Sequence, residues 1–192
     1  MRTLYTLVLV ITINQWISAS IVKGYSSMAQ FQNVIQRTLR TEGGYVNDPE
    51  DSGGETAFGI SNAQYPDIDM HTLTLEQAKE IYKRDYWDRL RLDEIKSDRI
   101  AWKVFDIAVN CGTPRAAIML QHSVGVEQDG VIGSETIATV NQNITLKNTQ
   151  VVIDTLSELQ ARHYARTVRN SPKNAKFIVG WMDRAFDKGV GL

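Results

Sequence analysis

The sequence predicts a mostly α fold of the α+β class, with six or seven helices and one small β-hairpin. Three observations carry this. Apolar residues recur at helical spacing in one stretch after another beyond residue 30. Short strand signals flank a single glycine- and aspartate-rich turn, at 45–60. The one cysteine, Cys111, excludes an internal disulfide and any multi-cysteine zinc site. Packing alone must hold the fold, which 192 residues allow.

The chain opens with an address rather than a fold element. Between Arg2 and Lys23 lie 20 residues without a charge. As a helix they would extend about 30 Å, the thickness of a bilayer core. Thr3, Thr6, Thr12, Asn14, Gln15, Ser18 and Ser20 interrupt the apolar run. Leu4 to Ile13 has the length of a signal-peptide core, and Ser18-Ala19-Ser20 offers a small-residue cleavage site. Residues 3–22 therefore read as an inner-membrane anchor or a cleaved signal, both leading to export to the periplasm. An apolar helix docked on the domain is the bland alternative. We treat 1–24 as this leader, 25–115 as one lobe and 116–192 as a second.

Phe31, Val34, Ile35 and Leu39 set the first helix, and Gly43-Gly44 end it, since glycine takes the left-handed cap conformation. Glu42 then sits on the last turn, where the helix dipole disfavours a second negative charge and favours a protonated carboxyl. That is what a general acid requires. Tyr45-Val46 reads as a strand, 48–54 as a turn and Thr56 to Ile60 as the returning strand. Ala63 to Thr74 reads as a loop. Thr72 or Thr74 caps a helix carrying Ala78, Ile81 and Tyr82, with Glu76 or Gln77 in its first turn. Ser97 or Asp98 starts the cleanest core helix, striped by Ile100, Ala101, Val104, Phe105 and Ala108.

Asn110 to Pro114 stops that helix and starts the next, which runs through Ala116, Ala117, Met119 and Leu120 to Gly125. Asp129 to Gly133 forms a tight turn, and Ser134 caps a short helix. A long helix from about Thr149 carries Val152, Leu156 and Leu159. Pro172 breaks it, and a final helix holds Phe177, Ile178, Trp181 and Phe186.

Glu42-Gly43-Gly44-Tyr45, Asp48-Pro49, Asp51, Gly53-Gly54, Thr56 and Gly59-Ile60 resemble the N-terminal signature of glycoside hydrolase family 108. Those enzymes are N-acetylmuramidases of phage endolysins and bacterial wall hydrolases. Phe105 to Asn110, Leu120-Gln121, Asp129 to Gly133 and Gly180 to Arg184 resemble the peptidoglycan-associated region that follows in that family. The resemblance implies a lysozyme-like fold with the hairpin beside the catalytic helix end. It also implies peptidoglycan glycan strands as substrate and phage-mediated host lysis as setting. A marginal span ahead of such an enzyme is similar to the signal-anchor-release leaders of endolysins, which slip out of the bilayer; each polar residue in the span lowers its insertion free energy.

Glycoside hydrolysis generally needs two carboxyls. Glu42 is the candidate acid, against a solvated helix-end glutamate. Asp51, nine residues on, is spaced like the second acid of similar phage lysozymes. Its plain alternative is a turn aspartate before Ser-Gly-Gly, and Asp48 is the other candidate. By the same resemblance Thr56 would orient a water; as a β-branched strand residue it needs no explanation. Tyr45, Asp48, Asn110, Gln121 and Trp181 are candidate substrate-binding residues, because sugars stack on aromatics and bond to amides. Asn110 also fits a capping role, and Trp181 a core one. Asp106, beside the apolar stripe, needs a partner such as Arg184 if it is buried.

Cys111 with His122 or His163 is the alternative thiol-peptidase pair, set against a small buried residue. His71, His122 and His163 lack metal-ligand spacing, so neither metal nor cofactor is expected. The net charge of −1 gives no basic field for nucleic acid. A monomer is expected. A non-catalytic peptidoglycan-binding module and a wall-remodelling hydrolase remain rival readings.

Overall fold

The computed structural model describes residues 29–41, 46–47, 55–142 and 144–189, helical apart from one small sheet. The leader expected over 1–24, the helix-ending glycines 43–44 and the turn over 48–54 lie outside the described residues. No helix among the described residues is long and apolar enough to cross a membrane.

Helix α1 (Phe31–Thr41) buries Phe31, Val34 and Ile35, as its spacing predicts. Its start is pinned by the Ala29 amide, which donates to the Ile95 carbonyl at 2.7 Å, and by the Gln30 amide, which donates to Asp98 Oδ1 at 2.9 Å.

Strands β1 (Val46–Asn47), β2 (Glu55–Ala57) and β3 (Ile60–Ser61) form an antiparallel meander, with Thr56 opposite both Val46 and Ser61. The single returning strand expected over 56–60 is thus two strands. Phe58 and Gly59 make a two-residue turn between them, at φ +52° and +76°. Two positive φ values match the twist of paired strands. Phe58 adopts that conformation against its steric preference, and its carbonyl accepts a hydrogen bond from the Tyr82 hydroxyl at 2.9 Å.

Thr74 caps α2 (Leu75–Tyr82) and exchanges hydrogen bonds with Gln77 in a capping box. The helix then widens into π-type turns over Lys83–Asp88. Tyr86 and Trp87 in these turns are both buried.

Ser97 caps α3 (Asp98–Cys111), whose residues from Ile100 to Ala108 are all buried. Gly112, at φ +85°, is the one-residue joint to α4 (Thr113–Val124), and Gly125 at φ +75° closes α4. Next come α5 (Ser134–Gln142) and α6 (Leu146–Asn170). Helix α6 starts three residues before the expected Thr149, because Thr145 accepts from the Asn148 amide at 3.2 Å and caps it. After 3₁₀ turns over Pro172–Phe177, α7 spans Ile178–Phe186. Of the apolar residues expected there, Ile178 and Trp181 are half-buried, Phe177 and Phe186 are exposed, and Ala185 is its buried member.

Phe105 of α3 is the centre of the core. The rings of Phe31, Tyr82, Tyr86 and Trp87 surround it at 6.0–6.4 Å or meet it through one another. One contiguous apolar interior runs from Ala29 to Leu156, through α1, α2, α3, α4, α5 and α6.

Candidate functional site

A groove of about 410 Å³ opens between α1, α3 and α7. From α3 it takes Trp102, Asp106 and Asn110, which are spaced by four and so share one face of the helix. From α1 it takes Arg37 and Thr38, and from α7 and the residue after it Gly180, Trp181, Asp183, Arg184 and Asp187. Thr38 precedes Glu42 by four residues in sequence.

Three charged contacts fix these walls. The Arg184 Nε donates to Asp106 Oδ1 at 2.8 Å, and Gln160 Nε2 of α6 donates to the other carboxylate oxygen at 3.3 Å. Asp106 is 5% exposed, so the buried carboxylate has the partner that its position demands. Arg37 grips Asp187 with one Nη, at 2.6 and 2.9 Å, and its guanidinium lies 4.9 Å from the Trp102 ring. Burial opposes ionisation of Asp187, but Arg37 and the Gly189 amide hold its carboxyl below the usual range.

The third is Lys103, completely buried at 0% exposure. Its Nζ donates to the carbonyls of Arg184, Ala185 and Asp187 at 3.3, 2.6 and 3.2 Å. A cation thus bonds three carbonyls at the C-terminus of α7, of which the Arg184 carbonyl also accepts from the Asp187 amide, and complements the negative helix end. Desolvation pulls the ammonium down to about 8.

With Arg37, Arg184 and Lys103 engaged, the groove presents the Trp181 ring, the Asn110 amide and the exposed Asp183. Trp181 stacks on Tyr164 at 5.0 Å and on Phe177 at 5.7 Å. The Asn110 Nδ2 donates to the Asp106 carbonyl at 3.0 Å, leaving its amide oxygen for a ligand. With its stacked neighbours, the Trp181 ring offers the groove apolar contact, and the amide and carboxylate offer hydrogen bonds, to a polyhydroxylated chain.

The structure thus brings two sequence-predicted residues, Asn110 and Trp181, to one groove. Glu42, Tyr45, Asp48 and Asp51 lie outside the described residues. Thr56 is half-buried in the middle strand. Gln121 is corrected. It is 1% exposed, and its amide holds the Asp129–Val131 turn from inside by donating to Asp129 Oδ1 and the Val131 carbonyl and accepting from the Gly130 amide. It is a structural residue with no face left for a sugar. Arg37, Trp102, Asp183 and Asp187 were missed; the spacing of Trp102, Asp106 and Asn110 was the available signal.

Burial pushes the Cys111 thiol up to about 11, so it stays protonated near neutrality and is no nucleophile. Among the described residues no three of His, Cys, Asp and Glu come together as a metal site.

Residues 35–112 match the family model described as Glycosyl hydrolase 108, and residues 115–186 match the one described as Predicted Peptidoglycan domain. The two matches meet at the joint between α3 and α4. A solved structure of Brucella abortus SagA is 29% identical over 81% of this chain and 88% of that chain, with a TM-score of 0.68. The search of curated proteins gave no match. The mostly α, lysozyme-like fold expected from the sequence is the fold observed. These matches make the chain a peptidoglycan hydrolase, with a glycosyl hydrolase 108 region over 35–112 and a predicted peptidoglycan domain over 115–186.

Proposed function

We propose that the enzyme is an endo-acting N-acetylmuramidase. It cleaves the β-1,4 bond between N-acetylmuramic acid and N-acetylglucosamine, with Glu42 protonating the leaving oxygen. Asp51, or Asp48 in its place, assists a water or the developing oxocarbenium ion, and Thr56 orients that water. Asn110 and Trp181 hold the glycan strand.

One observation carries the reading. Helix α1 is described through Thr41, its Thr38 turn lines the groove, and Glu42 is the next residue of the chain, inside the region matched to the hydrolase family. That groove offers a glycan strand an aromatic ring and an amide, and the candidate acid follows Thr41 in the chain.

Peptidoglycan lies outside the cytoplasm, so the enzyme acts there. We further propose that residues 3–22 export it as a releasable inner-membrane anchor, and that it works as a monomer in phage-mediated lysis. Digestion of purified peptidoglycan tests the chemistry. Wild type should release new reducing ends on N-acetylmuramic acid, and Glu42→Gln should lose at least about a hundredfold in rate, the usual worth of a general acid. Full activity in that variant rules out Glu42, and reducing ends on N-acetylglucosamine rule out a muramidase.

A further inference from the structure

A second groove, of about 360 Å³, lies between α4 and α6 and shares no lining residue with the first. Its apolar part is Met119, Leu159 and the partly exposed Ile118. Its charged part is Arg115, from the first turn of α4, and Arg166, from α6. None of its lining residues is acidic.

Arg115 and Arg166, like Arg89 and Arg169 elsewhere on the surface, differ from the arginines already committed to acids. Arg37, Arg84, Arg91, Arg162 and Arg184 each hold a carboxylate. Arg115 and Arg166 are exposed and form no ion pair among the described residues. Burial, then these two charges, lower the pKa of neighbouring His163, so both sit close enough to act on one ring. Two unpaired guanidiniums beside an aliphatic surface make a site for a carboxylate attached to a short apolar chain.

The groove falls within residues 115–186, matched to the predicted peptidoglycan domain. The peptides carried by peptidoglycan strands bear free carboxylates and alanine methyls. We propose that this groove binds the acidic stem peptide of peptidoglycan, with Arg115 and Arg166 taking its carboxylates and Ile118, Met119 and Leu159 its aliphatic groups. The inference rests on the peptidoglycan reading and extends it: the enzyme grips the peptide at one groove while the glycan lies in another.

The probe is a synthetic stem tetrapeptide with free carboxylates, which has no glycosidic bond for the enzyme to cut. It is titrated into the full chain at low salt. Arg115→Ala/Arg166→Ala should raise its Kd at least about tenfold, and amidating the peptide's carboxylates should weaken binding to wild type as much. Both side chains are exposed, so the melting temperature should stay within about 2 °C of wild type. Arg162→Ala, on the same helix, should leave Kd unchanged. Equal Kd in the double variant, equal binding of the amidated peptide, or an equal loss in Arg162→Ala would each overturn the proposal. Release of reducing ends from peptide-free glycan separates the failures. Wild type that cuts this glycan while the tetrapeptide results fail sinks only the stem-peptide groove, whereas wild type that does not cut it sinks the glycosidase reading beneath.

Discussion

Replacing Asp106 by Asn keeps the shape of a side chain that is almost wholly buried and removes its charge. The Arg184 guanidinium, 20% exposed at the side chain, then loses its carboxylate and faces a neutral amide. One of the two amide orientations would also set an NH₂ against Gln160 Nε2, which now donates to Asp106. Removing one partner of a buried ion pair costs about 3–5 kcal/mol; partial exposure of Arg184 puts this case near about 3. For a chain of this size that lowers the melting temperature by about 6–12 °C. The urea midpoint should fall by roughly 1–1.5 M at unchanged slope. A thermodynamic cycle with Arg184→Leu isolates the pair. The double variant Asp106→Leu/Arg184→Leu should recover much of the loss, because two apolar groups leave no buried charge unpaired. A drop under about 2 °C for Asp106→Asn, or strictly additive effects in the cycle, would refute the view that this pair seats α7 against α3.

Further expectations follow from the same groove. Lys103→Met removes a buried cation that bonds three carbonyls at the end of α7 and should cost at least about 2 kcal/mol at pH 7. Because the folded ammonium titrates near 8 against 10.5 for the free group, the unfolded chain holds more protons between those values. Stability of wild type relative to Lys103→Met should therefore rise with pH across that window in denaturant titrations, and a flat difference would contradict the burial argument. Asp51→Asn should slow release of reducing ends at least about tenfold, or about 1.4 kcal/mol of barrier, with near-wild-type rates reducing Asp51 to a turn residue. Gly112→Ala has room for its methyl, whose nearest neighbour is Pro114 Cδ at 3.9 Å, yet φ +85° should make it cost about 1–3 kcal/mol by thermal unfolding.

The helices were legible because each buries a stripe. The spacing of Ile100, Ala101, Val104, Phe105 and Ala108 needs no knowledge of what covers them. Asp106 was legible too, since a carboxylate next to such a stripe calls for a cation. Lys103 was not. It lies off the stripe of α3 and is buried because a helix end some 80 residues later closes over it, which no local pattern records. The Phe58-Gly59 turn escaped because only its glycine carries the usual hairpin signature, and the wide turns over 83–88 because backbone winding leaves no mark on side-chain type. Gln121 misled because an amide that grips a turn and an amide that grips a sugar are the same letter. Around α7 periodicity was half right: Ile178 and Trp181 are half-buried, while Phe177 and Phe186 are exposed.

The joint at Gly112 has a practical meaning for anyone recombining wall hydrolases. The two matched stretches look like beads on a string, one for cutting and one for holding. Yet a fragment beginning at Thr113 would carry Ala116, Leu120, Ile153 and Leu156 bare into water, and a fragment ending at Cys111 would strip the cover from α3. Chimaeras that exchange one half without the other would trade a sealed interior for a sticky face; the pair must travel together.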